Sequence, residues 1–219
     1  MRSAKLKVKG ILLDLDGTLV DSKEAYLKAV KTAFAAIRQR MDDTKIVTEI
    51  PKRLEQNLPI NDIVKGADQQ KFLEAYLNAY YQATATKTKP IPNISDTVKK
   101  LAEKAKLALI TMRYVARKEI IKELEKFDLA EYFQCVITAL NTRNPKPSSE
   151  AVIKCAEQLG IKTCECVVVG DSVVDIKAGK TAGAKTVAVL SGIFSREELE
   201  REKPDLILEN VSQLPDFLE

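Results

Sequence analysis

Five short apolar runs set the frame for this chain: Gly10 to Leu15, Leu107 to Met112, Cys135 to Ala139, Cys166 to Gly170 and Thr186 to Leu190. They are rich in Val, Ile and Leu and are bounded by polar residues or glycine. Runs of that length and composition suit strands buried on both faces, as in the interior of a parallel sheet. A last run, Leu206 to Leu208, reads as an edge strand. Helical patterns lie between them. Tyr114 to Phe127 puts Ile120, Ile121 and Leu124 on one face, Ser149 to Leu159 does the same with Val152, Ile153, Ala156 and Leu159, and Ser195 followed by Glu198 resembles a capping box before another helix. From about Lys106 onward strand and helix alternate. The expected class is therefore α/β, a doubly wound, Rossmann-like parallel sheet.

One stretch breaks the rhythm. No strand pattern is found from Ser22 to about Lys87. Ser22 to Met41 is periodic through Tyr26, Leu27, Val30, Phe34 and Ile37, and Asp68 to Ala83 through Phe72, Leu73, Tyr76, Leu77 and Tyr80. Pro51 and Pro59 are expected to divide the part between, and Thr84 to Asn93, with Pro90 and Pro92, reads as a linker. The organisation predicted is a core from residues 1–20 and 88–219 with a smaller, all-helical domain, 21–87, inserted after the first strand.

The chain has no histidine. That excludes Ser-His-Asp and Cys-His catalysis and His-ligated metals, so any metal would be a hard ion held by carboxylates, with magnesium first in line. The 35 basic and 31 acidic residues are mixed along the sequence without a long run of one sign, which argues against a nucleic-acid arm. The basic stretch Met1 to Lys9 leads into an apolar run that soon meets Asp14 and Asp16. It is neither a signal peptide nor a membrane span, and a cytoplasmic location is expected. Cys135, Cys155, Cys164 and Cys166 lack zinc spacing and read as small core residues, with a disulfide left open.

Asp14-Leu15-Asp16-Gly17-Thr18-Leu19 follows the first strand, at the edge of an open sheet where ligands bind. Two carboxylates beside a buried strand are costly unless something pairs with them, and a cation would. An isolated acidic turn would look similar, since Asp and Gly favour turns, but the full string is much rarer. Asp14, Asp16, Gly17, Thr18 and Leu19 resemble the first motif of the haloacid dehalogenase superfamily. That resemblance implies that Asp14 is a nucleophile attacking phosphorus. It implies that Asp16 first protonates the leaving oxygen and then activates water. The Leu19 to Ser22 segment resembles members whose helical cap begins there.

Three further motifs follow in the superfamily's order. Thr111, ending the next strand, resembles the Ser or Thr that hydrogen-bonds the phosphoryl group, although Met112 replaces the frequent Asn; a lone Thr here would otherwise be a helix cap. Lys146, in Asn144-Pro145-Lys146-Pro147, resembles the lysine that balances the charge of nucleophile and phosphoryl group. Gly170-Asp171 with Asp175 resembles the metal-binding motif, and Ser172 with Asp175 also fits a capping box. Arg113 has two readings, a substrate-binding residue or a solvated surface arginine.

The resemblance implies Mg2+ bound by Asp14, Asp16 (through its backbone carbonyl), Asp171 and Asp175, with Asp14, Asp16, Thr111 and Lys146 catalytic. The expected partner is a small phosphorylated metabolite, with no nucleic acid and no membrane. The pattern is nearest the phosphoglycolate phosphatase-like branch, and the helical insert is expected to act as a lid. In that lid Lys52, Arg53 and Lys65 are candidates for reaching an anionic substrate tail. A phosphosugar mutase using the same site is an alternative function, and a binding module that kept the fold is another.

Overall fold

A computed structural model of the chain describes residues 5–65 and 68–219. Residues 1–4 of the basic amino-terminal stretch lie outside the described residues. The strands are β1 (Gly10–Leu13), β2 (Val20–Asp21), β3 (Lys89–Pro90), β4 (Lys106–Ile110), β5 (Phe133–Ile137), β6 (Cys166–Gly170), β7 (Lys185–Val189) and β8 (Leu206–Leu208). The α-helices are α1 (Lys23–Ala36), α2 (Ile46–Glu55), α3 (Gln69–Lys87), α4 (Ile94–Lys104), α5 (Arg117–Glu125), α6 (Glu150–Leu159), α7 (Val173–Thr181) and α8 (Arg196–Arg201). The chain divides into two compact units. One runs through Val20 and resumes at Pro90–Glu219, and the other is Asp21–Lys89.

The first unit is built on a six-stranded sheet in the order β5-β4-β1-β6-β7-β8, with every neighbouring pair parallel. The sheet sits in the middle of the unit because its side chains alternate between two apolar faces. Ile11 and Leu13 of β1, Leu107 and Leu109 of β4 and Val167 and Val169 of β6 join one cluster with Val98 and Leu101 of α4, Ile120 and Leu124 of α5 and Val211 and Leu214 of a closing 3₁₀ helix. Leu12, Ala108, Ile110 and Val168 face the other way, onto Ala151, Val152, Cys155 and Leu159 of α6 and Ala178 of α7. Continuous apolar strands are what a sheet covered on both sides requires.

The chain starts in the middle of this sheet. It moves outward from β1 through β4 to β5, then crosses back to β6 on the other side of β1 and continues to β7 and β8. The reversal leaves the carboxyl ends of β1 and β6 side by side, a switch point of the kind at which open α/β sheets place ligands.

The second unit is helical. Within it the ring of Tyr26 on α1 stacks on Tyr80 of α3 at 5.3 Å, and Phe34 meets Phe72 edge-on at 5.3 Å. Two local expectations are corrected here. Pro51 does not divide the segment: it lies inside α2, where it gives up one backbone hydrogen bond and is itself buried. The expected linker from Thr84 begins as helix, because α3 continues to Lys87. Ala83 and Thr84 lie on its buried face, and the Thr84 and Thr88 hydroxyls donate to Tyr81 O and Thr84 O. The following pair, β3, forms a separate two-stranded sheet with β2. All four cysteines are free, and among them only Cys164 is exposed.

Candidate active site

β1 ends at Leu13, and the next residue, Asp14, still donates its backbone N–H to Val169 O of β6 at 2.9 Å. Beyond it the chain curls tightly. Leu15 O accepts the N–H groups of Leu19 and Val20 at 2.9 and 3.0 Å, and Gly17 donates its own to Val20 O at 2.7 Å. Gly17 has φ of +80°, and a Cβ there would lie 2.5 Å from the carboxylate of Asp171. Backbone geometry and space both require glycine at this position.

Asp171 follows β6 and is enclosed from several sides. Thr18 Oγ1 lies 3.4 Å from its Oδ1, and a Cβ on Gly192 would come within 1.7 Å of its Oδ2. The Ser191 hydroxyl donates to Gly17 O at 2.6 Å, tying that segment to the Asp14 turn. Asp175 does two things at once. Its Oδ2 accepts the N–H of Ser172 at 3.2 Å, closing a capping box at the start of α7, while its Oδ1 accepts from Lys146 Nζ at 2.5 Å. Asp175 thus caps α7 and at the same time pairs with Lys146.

Lys146 is 4% exposed. Its ammonium has three donors, and three acceptors surround it: Asp14 Oδ1 at 2.6 Å, Asp175 Oδ1 at 2.5 Å and Ile110 O at 3.3 Å. The loop that carries it is pinned from α6, where the Glu150 carboxylate accepts the N–H groups of Arg143 and Asn144, each at 3.0 Å. Thr111 ends β4. Its Oγ1 accepts the N–H of Arg113 at 3.1 Å, which leaves the hydroxyl proton to be donated elsewhere.

Arg113 is not a solvated surface residue: it is 4% exposed. Its Nε and Nη2 grip the two oxygens of Asp16 at 2.8 and 2.6 Å, and Nη1 is ion-paired with Glu123 of α5. The charges of the site do not balance. Among the described residues, the ion pairs of Asp14, Asp16, Asp175 and Glu123 run to two cationic side chains, Lys146 and Arg113, with the buried Asp171 beside them. The titration directions carry the same imbalance. Burial pushes the Asp14 carboxyl well above the usual carboxylate range, opposed by Lys146 and reinforced by Asp175 and Asp16. Burial alone would lower the Lys146 ammonium, yet Asp14 and Asp175 outweigh it and hold the proton more tightly than in water.

A hard divalent cation would relieve that excess. Asp14, Asp171 and Asp175 can each offer an oxygen with all three within 4.8 Å of one another, a donor set of the kind magnesium takes. The Asp16 carboxylate is turned to Arg113 instead. Of the sequence candidates, Asp14, Lys146, Asp171 and Asp175 thus converge directly, Thr111 stands at the neighbouring strand end, and Asp16 and Arg113 form a pair beside them. In the helical unit, Arg53 is engaged by Glu49 at 2.6 Å and Asp62 at 2.5 Å, so it serves a local tie. Glu123 and Gly192 also border the site, and neither stands in a sequence motif. Glu123 did carry a signal, as a charged residue on the face of α5 that buries Ile120 and Leu124.

Residues 11–189 match the family model described as haloacid dehalogenase-like hydrolase. A relative named pyrophosphatase PpaX, from Halalkalibacterium halodurans, is 29% identical over 97% of this chain and 98% of its own length. A relative named phosphoglycolate phosphatase, from Escherichia coli strain K12, is 29% identical over 94% of this chain and 91% of its own. A solved structure of a haloacid dehalogenase-like family hydrolase from Streptococcus pneumoniae has a TM-score of 0.79 at 18% identity, covering 96% of this chain and 98% of that one, and shares the fold.

Proposed function

The chain belongs to the haloacid dehalogenase-like hydrolase family, and from that premise we propose that it is a magnesium-dependent phosphatase of small phosphomonoesters, working through Asp14 as nucleophile. The observation that carries this reading is the junction at Lys146: one buried ammonium joined to Asp14 and Asp175, with Asp171 completing an acidic trio. Asp14, Asp171 and Asp175, with the backbone carbonyl of Asp16, would hold the cation. When bound, magnesium draws charge from the phosphoryl oxygens and lets an anionic nucleophile approach.

The chain's own groups divide the remaining work. An Asp14 oxygen attacks phosphorus, forming an acyl phosphate as the bond from phosphorus to the ester oxygen breaks. Asp16, protonated, gives its proton to that departing oxygen and becomes a carboxylate. Lys146 and the Thr111 hydroxyl donate to the phosphoryl oxygens, holding charge that spreads in the transition state. In the second half the Asp16 carboxylate removes a proton from water, whose oxygen attacks phosphorus. The bond from Asp14 to phosphorus breaks, inorganic phosphate leaves, and both aspartates return to their starting forms.

Phosphoglycolate-like and sugar phosphates are the first substrates to test. The relative named pyrophosphatase PpaX makes pyrophosphate the competing substrate, since the same steps cleave it with phosphate as leaving group. Phosphate release from such a panel should require magnesium, stop with chelator and vanish in Asp14→Asn. No release from any substrate by the unaltered protein would refute the reading and return the mutase alternative.

A further inference from the structure

We infer that Arg113, backed by Glu123, is the positioning residue for Asp16. This deepens the phosphatase reading and rests on it. Asp16 has two oxygens and Arg113 binds both, through Nε at 2.8 Å and Nη2 at 2.6 Å. A bidentate guanidinium–carboxylate pair fixes the plane of the carboxylate as well as its place. The far side of the guanidinium is held in turn, with Nη1 ion-paired to Glu123 and Nη2 3.4 Å from Glu123 Oε1. The main chain of Arg113 is tied at both ends too: its N–H donates to Thr111 Oγ1 at 3.1 Å, and its carbonyl accepts from Ala139 at 3.2 Å.

This arrangement is not what solvation alone would choose. Tyr114, the next residue, is 66% exposed, so water is within reach of an arginine here, yet Arg113 and Glu123 are buried. Taking charged groups from water is unfavourable unless their geometry is well matched, and here the matched geometry ends on Asp16. Arg113 and Glu123 together carry almost no net charge, so what the pair adds beside the acidic trio is direction. It keeps the Asp16 carboxylate away from the cation donors Asp14, Asp171 and Asp175 and sets the orientation from which the proton is given and taken.

The test compares substrates that need that proton with substrates that do not. Leaving groups such as p-nitrophenolate depart unprotonated, whereas alkoxides require an acid. For Arg113→Met, kcat/KM for alkyl phosphates should fall roughly tenfold to hundredfold, part of the ~10²–10⁴ that a placed proton-transfer group contributes. The kcat/KM for p-nitrophenyl phosphate, which reports only transfer of phosphorus to Asp14, should change by less than about threefold because that step needs no proton, whereas kcat should fall on every substrate wherever activation of water by Asp16 limits turnover. Arg113→Lys should recover only part of the alkyl activity. Glu123→Gln, which keeps the shape of the side chain, should shift selectivity in the same direction and decides the matter if Arg113→Met does not fold. Asp16→Asn combined with Arg113→Met should be no slower than Asp16→Asn alone. Equal losses of kcat/KM on all leaving groups, or losses that multiply in the double variant, would overturn the inference and leave the phosphatase reading standing. Absence of any turnover in the unaltered protein would refute that reading and this inference with it.

Discussion

The ammonium of Lys146 and the carboxylate of Asp14 stand 2.6 Å apart where solvent scarcely reaches either. Lys146→Met should lower phosphate release by about 10²–10³, the scale seen when a preorganised donor to developing charge is lost. It should also destabilise the metal-free protein by about 3–5 kcal/mol, because two buried carboxylates lose their partner. Urea unfolding with chelator present measures the second effect. Adding Asp14→Asn should recover part of that stability, and no recovery would mean that the lysine acts through something other than this pair.

Magnesium should raise the melting temperature, since binding to the folded state alone stabilises it. The gain is about 2.7 kcal/mol at a hundredfold excess over the dissociation constant. Asp171→Asn removes one of the three acidic donors and should abolish most of the shift. A thermal scan with magnesium and with chelator reads this without any substrate. An unchanged shift in the variant would place the cation elsewhere.

Gly192→Ala is predicted to weaken the cation site selectively. The new Cβ would sit 1.7 Å from Asp171 Oδ2, and Asp171 has little room to retreat from Thr18 and Gly17. Groups that orient a metal ligand typically affect affinity by about 10–100-fold, so the magnesium concentration for half-maximal activity should rise by that order. An unchanged magnesium requirement would mean the loop yields instead.

Glu150 gives a pH signature. Its hydrogen bonds with Lys154 and with the N–H groups of Arg143 and Asn144 hold its pKa at about 2, against an ordinary 4.5. Between those values the folded chain binds fewer protons at this residue than the unfolded chain. The resulting stability is complete above pH 4.5 and is lost as pH falls toward 2. Glu150→Gln should flatten the unfolding midpoint over that window. Activity near neutrality should also drop, because the pinned loop carries Lys146. An identical acid profile in the variant would remove the carboxylate from this role.

Much of the candidate site was legible in the sequence because open parallel sheets place ligands at strand ends. Asp14, Thr111 and Asp171 each close an apolar run, and the order of strands brings those ends together. Lys146 was legible only through its neighbours and its likeness to a family motif. Arg113 kept two readings, since nothing local distinguishes a buried arginine from a solvated one. What it pairs with, besides Asp16, is Glu123, which lies on a helix face that periodicity assigns to the core. Gly192 was invisible for a different reason: its importance is the absence of a side chain beside Asp171, a fact of tertiary contact. The end of α3 escaped because the Pro90 and Pro92 signal masked a helix that runs through Thr84 to Lys87, with the Thr84 and Thr88 hydroxyls donating to carbonyls of its last turns.

The central place of β1 has a consequence for how the molecule is made. It is the first strand of the sheet to leave the ribosome, but its partners β4 and β6 are synthesised much later, with the whole helical unit intervening before the first of them. Until β6 emerges, one edge of a fully apolar strand stays open to any passing strand, and contacts this distant in sequence form slowly. A ribosome that stalls before Cys166 therefore presents a nascent chain with an open strand edge directly before Asp14.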